Sequence, residues 1–153
     1  MNPLENKDLQ LAKQKLKTQE LSLVIVKNEK TVFETKKPGV TGFLTAIETV
    51  NPDLSGSSVA DKIVGVAVAL LCVHSGVSAV FAQTISDEGI KVLEENSIDC
   101  QFEKKVSNIL NRTKTDVCPF EKTAISSTNP KDAYLKLKAL AAEMVAKSKK
   151  PSC

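Results

Sequence analysis

Three side chains have types and placements suited to chemistry. Asp61 and Lys62 are adjacent within SSVADKIVG (57–65), and Cys118 lies in TDVCPFEK (115–122). A carboxylate beside an ammonium can orient a polar substrate, and a cysteine can act as nucleophile or proton donor. Ser58-Val59-Ala60-Asp61 fits a capping box, which would place Asp61 in the first turn of a helix. An acid there gains about 0.3–1 kcal/mol from the helix dipole. Lys62 would face that dipole unfavourably, so its ammonium either reaches out to water or is offset by Asp61 or an anionic ligand. Pro119 pushes Cys118 out of helical geometry and favours a helical turn after it. With Lys114 and Lys122 nearby in sequence, Cys118 at that turn would favour its thiolate. The alternative is an inert buried cysteine.

A second group of residues suits ligand binding. Ser86-Asp87-Glu88 opens a helix after a strand, the position where open α/β sheets bind ligands. Ser86 also serves as the helix cap. Asn111, Arg112 and Asp116 occupy a polar loop of the kind that covers a site, with Glu121 three residues beyond Cys118. Arg112 can grip a carboxylate or phosphate. No phosphate loop or dinucleotide fingerprint is present.

These residues need a scaffold. Residues 4–19 have helical periodicity, and Leu21–Val26 and Thr31–Thr35 read as a hairpin joined at Lys27–Lys30. Phe43–Val50 is a short helix stopped by Asn51-Pro52. The spacing then predicts one long buried helix from about Val59 to Ser75, ended by Gly76. Val77–Ala82 is a strand covered on both faces, and Asp87–Asn96 a helix. Ile98, Cys100 and Phe102 alternate with polar residues as a final strand. Asn129 and Pro130 open a helix to about Lys147. Strand–helix–strand units after a hairpin imply a mixed sheet in a three-layer α/β/α sandwich. The organisation expected is an N-terminal helix (1–20), one α/β domain (21–147) and a loose tail (148–153).

Composition narrows the function classes. The 153 residues carry a net charge of only +3, too little to imply nucleic acid or an anionic membrane. The run Ile63–Val73 is too short to span a bilayer, and the polar start MNPLENKDLQ lacks a signal peptide's apolar core. A cytoplasmic location follows as the expectation. There the four cysteines, Cys72, Cys100, Cys118 and Cys153, with no CxxC pair, would be free thiols.

The element order resembles the cytidine deaminase-like superfamily, in which a hairpin precedes a buried helix carrying His-x-Glu and a later helix opened by Pro-Cys-x-x-C. More narrowly, ADKIVG (60–65), GVSAVFAQTIS (76–86) and LNRTKTDVCPFE (110–121) are similar to the bacterial domain of unknown function numbered 1893, over most of residues 20–145. The resemblance implies the deaminase-like fold but not the zinc chemistry. Ala60-Asp61-Lys62 stands where His-x-Glu would be, and Ile85-Ser86-Asp87-Glu88 where Pro-Cys-x-x-C would be. The one histidine, His74, lies at the far end of its helix. Without the His/Cys triad, zinc-dependent deamination is not inherited. No metal or cofactor is therefore expected.

Two functional classes stay open. One is a metal-independent hydrolase or transferase acting on a small nucleotide-like or amino-bearing substrate through Cys118, Lys62 and Asp61. The other is a non-catalytic small-ligand-binding or regulatory domain. The expected partner is a small molecule rather than nucleic acid or membrane, and a homodimer is compatible with the sequence.

Overall fold

The computed structural model describes residues 6–147. The expected loose tail at 148–153 and the first five residues lie outside them. Helix α1 (Lys7–Thr18) leads into the hairpin β1 (Leu23–Lys27) and β2 (Lys30–Thr35), followed by α2 (Val40–Val50). The chain then alternates: β3 (Ser58–Val64), α3 (Val66–Ser75), β4 (Ala79–Ser86), α4 (Asp87–Glu95) and β5 (Asp99–Val106). Helices α5 (Pro119–Ile125) and α6 (Pro130–Ala146) complete it.

The five strands form one sheet in the order β2-β1-β3-β4-β5. β1 runs antiparallel to β2 and β3, whereas β3, β4 and β5 are parallel. The sheet is thus mixed, and the hairpin comes first, as the deaminase-like resemblance implies. One face is covered by α1, whose Leu9, Ala12 and Leu16 pack on Val24, Val26, Ala60 and Phe81. The other face carries α2, α3 and α4 over a larger core that includes Phe43, Leu71, Val80 and Ile85. α5 and α6 pack onto α3. Burying each large apolar side chain in these cores contributes about 1.5–3 kcal/mol.

The long helix expected from Val59 to Ser75 is in fact two elements. Residues 58–64 form the central strand β3, and only 66–75 are helical. The reason is tertiary. Among the described residues Ser58–Asp61 is the segment that hydrogen-bonds both the hairpin and the β4–β5 unit, so strand pairing overrides the helical pattern there. Val59 joins the larger core and Ala60 the smaller, the period-two alternation of a strand. Gly76, at φ 75°, ends α3 in the left-handed conformation, and its N–H caps the carbonyls of Cys72 and Val73. The hairpin turn is fixed from outside: Asp8 accepts hydrogen bonds from the N–H groups of Asn28 and Glu29 at 3.0 and 2.8 Å.

Candidate functional site

The β3–α3 junction lies at the carboxyl end of the central strands, where α/β sheets place their sites. Gly65 makes the turn with extended backbone and offers no side-chain cap. The first amides of α3 therefore need an external acceptor. Glu121, from α5, supplies it. The Val66 N–H donates to Oε1 at 2.8 Å and the Ala67 N–H to Oε2 at 2.7 Å. One carboxylate thus satisfies two orphan donors and sits at the positive end of the helix.

Local structure delivers Glu121 to this point. Leu110 and Val117 pair across the 111–116 loop, and the Cys118 N–H donates to the Ile109 carbonyl at 2.9 Å. Pro119 then starts α5, and the fully buried Phe120 anchors it. Glu121 itself is only 5% exposed. Burial pushes its carboxyl above the usual range, and the Ala67 and Val66 amides pull it back. Gly65 is required by the close approach: a Cβ there would lie 1.8 Å from Glu121 Oε1. What remains open between Gly65, Ile63, Ile109, Cys118 and Glu121 is about 10 Å³, hardly room for one water molecule.

Asp61 and Lys62 do not begin a helix; they lie in β3, with side chains on opposite faces of the sheet. The capping box at Ser58–Asp61 is consequently absent. Lys62 is exposed, and its backbone N–H donates to the Ser22 carbonyl. Asp61 is 7% exposed, flanked in the sheet by Leu23 and Ala82, and accepts a hydrogen bond from the Ile63 N–H at 3.1 Å. Burial pushes its carboxyl up to about 7, against the opposing pull of the Ile63 and Lys62 amides.

Cys118 does precede the helical turn, as expected. It is fully buried and disulfide-bonded rather than a free thiol. The expectation of four free thiols fails at this residue. Cys72 and Cys100 are free core cysteines, and burial raises both thiols, that of Cys100 to about 11.

Ser86 caps α4, accepting from the Gly89 N–H at 3.0 Å. The loop residues satisfy one another. Asn111 accepts from the Thr115 N–H, and Asp116 pairs with Lys122, whose hydrogen bond lowers the Asp116 carboxyl. Arg112 is exposed on that loop. The structure therefore brings Cys118 and Glu121 together at the α3 N-terminus. Lys62 points away from it, Asp116 is paired with Lys122, and the Ser86 hydroxyl is taken up as the cap of α4. His74 stacks on Tyr134 with ring centroids 4.8 Å apart. Among the described residues no three His, Cys, Asp or Glu side chains are grouped to hold a metal ion.

Two features escaped the sequence reading. The role of Glu121 as the acceptor for α3 was one. Its available signal was an apolar helix start after glycine with no Ser, Thr, Asp or Asn to cap it. The second is a groove of about 610 Å³ between α2 and α6. Leu44, Ala141 and Val145 line it, with Lys37, Glu48 and Lys138 among its polar residues. Small residues on one side of α6 were its only trace in the sequence.

No described helix is long and apolar enough to cross a membrane. No curated protein gives a significant match to the chain. The crystal structure of a DUF1893 family protein from Thermotoga maritima is similar with a TM-score of 0.78 and 24% identity, over 91% of each chain. Two structures of RibD from Acinetobacter baumannii align at TM-scores of 0.48 and 0.45, with 17% and 15% identity. They cover 63% and 62% of this chain and 34% of theirs. The family model described as TM1506, domain of unknown function (DUF1893), matches residues 11–140, and the chain belongs to that family.

Proposed function

We propose that this protein is a non-catalytic domain that binds a small amphipathic anion in the groove between α2 and α6. The observation that carries the reading is the closed state of the sheet-end site. Its helix amides are taken by Glu121, and about 10 Å³ is left beside them. The metal-independent enzyme, the first of the two classes open from the sequence, needs Cys118, Lys62 and Asp61 at one place. Here the cysteine is bonded and buried, and the two charged residues point to opposite faces of the sheet.

The groove between α2 and α6 has the volume of a small-molecule site. Leu44, Ala141 and Val145 offer an apolar wall. Lys138 is held by Glu48 at 3.2 Å, which leaves Lys37 to receive a negative group. An apolar body with one anionic end fits that arrangement.

Anilinonaphthalene sulfonate has this chemistry and serves as the probe. Native protein is expected to bind it saturably at one site per chain, with bright fluorescence. Ala142→Trp, an exposed position on the groove wall, should leave the far-ultraviolet circular dichroism unchanged and weaken binding at least about tenfold, or 1.4 kcal/mol. Non-saturable binding, or the same affinity in Ala142→Trp, would remove the groove as the site.

A further inference from the structure

We propose that two copies of this chain associate through the outer edge of β5, antiparallel about a two-fold axis at Phe102. β5 is an edge strand of eight residues, paired on one side with β4. Among the described residues nothing pairs with its other side. Such an edge presents a row of unpaired amides and carbonyls.

The phase of that row follows from one hydrogen bond. The Asp99 N–H donates inward, to the carbonyl of Ser78 just ahead of β4, at 3.3 Å. The β4–β5 register runs without a break from Asp99 to Val106. Alternation therefore turns the backbone groups of Cys100, Phe102 and Lys104 outward. An antiparallel copy must pair outward-facing residues with outward-facing ones, so the two-fold passes through a residue position. Centred on Phe102, the two phenylalanines form a hydrogen-bonded pair, and Cys100 lies opposite Lys104 of the second copy.

Charge selects this centre over its neighbours. About Phe102, Asp99 faces Lys105 twice, once on each side of the axis, and Gln101 faces Glu103. A centre at residue 101 sets Asp99 against Glu103, and a centre at residue 103 sets Glu103 against itself. Opposite charges placed across strands favour pairing, and like charges oppose it. Lysines at an edge ordinarily deter association. Here Asp99 of the second copy offsets Lys105, and Lys17 already holds Glu103. Phe102, 43% exposed on this strand, gains its cover at the axis. The interface is isologous and closes as a dimer with a continuous ten-stranded sheet.

Sedimentation velocity over roughly 1–500 µM full-length protein tests the proposal. The native chain is expected to dimerise within that range. Phe102→Lys, which sets two ammonium groups at the axis, should give a monomer with unchanged circular dichroism. Asp99→Lys or Lys105→Asp alone should weaken the dimer about tenfold or more, since each alters two pairs. The double variant exchanges the charges and should recover most of that loss, a rescue that no damage to the fold would produce. A native monomer throughout the range, a dimer unmoved by Phe102→Lys, or a double variant no better than the singles would each overturn it.

Discussion

Glu121→Ala is expected to cost about 3 kcal/mol of folding stability, the largest loss from any single side-chain truncation outside the apolar core. The carboxylate accepts from two buried amides, and bonds to a charged acceptor contribute about 1.5–3 kcal/mol each. Removal of the desolvated carboxylate returns part of that sum. Alanine supplies no acceptor, so the Val66 and Ala67 N–H groups at the start of a buried helix lose their partner. Glu121→Gln should cost less, about 2 kcal/mol, because its amide oxygen serves one donor while its NH2 group opposes the other. Urea denaturation measures both. For a domain of this size, the alanine variant should melt roughly 6–12 °C lower.

Stability should fall as pH rises from 5 to 8, and Asp61 is the cause. Its carboxyl is raised to about 7 in the folded chain, against an ordinary value of 3.8. The folded state therefore holds the proton more tightly than the unfolded state. A group of this kind gives its full contribution below pH 4, and the contribution is lost as pH passes through 7. Between pH 5 and 8 the linked loss is roughly 2–3 kcal/mol. Asp61→Asn keeps the size and the acceptor for the Ile63 N–H, and no longer titrates. Its stability is expected to fall much less over this range, the remaining slope coming from the raised carboxyl of Glu121, and to exceed that of the native protein at pH 8. Urea midpoints at the two pH values measure the difference. Equal pH slopes in both proteins would mean that Asp61 ionises without cost.

The sequence was legible where a pattern was local. The hairpin was readable because a polar turn separates two β-branched runs, and Ser86 and Asn129 were readable as caps because capping is a matter of three residues. The three-layer arrangement followed from strand–helix alternation. β3 was not legible, since its identity depends on partners elsewhere in the chain. Val59, Ala60, Ile63 and Val64 suit a buried helix as well as a buried strand, and Gly65 was the one local mark of the boundary. That error carried Asp61 and Lys62 to a helix start they do not occupy. Glu121 was picked out as a ligand-binding residue, but its partner amides lie 54 and 55 residues away, beyond any local pattern.

Glu121 closes the α3 N-terminus. A double-mutant cycle between Gly65 and Glu121 tests that most directly. A Cβ at residue 65 would meet Oε1 at 1.8 Å and Cδ at 2.4 Å, so Gly65→Ala must displace the carboxylate from the amides it serves. Gly65→Ala should then cost about as much as Glu121→Ala, and the double variant about as much as either alone. The predicted coupling is 1 kcal/mol or more, on the order seen for residues in direct contact. Costs that add to within about 0.5 kcal/mol would show that the two residues act independently, and the closed site would be contradicted.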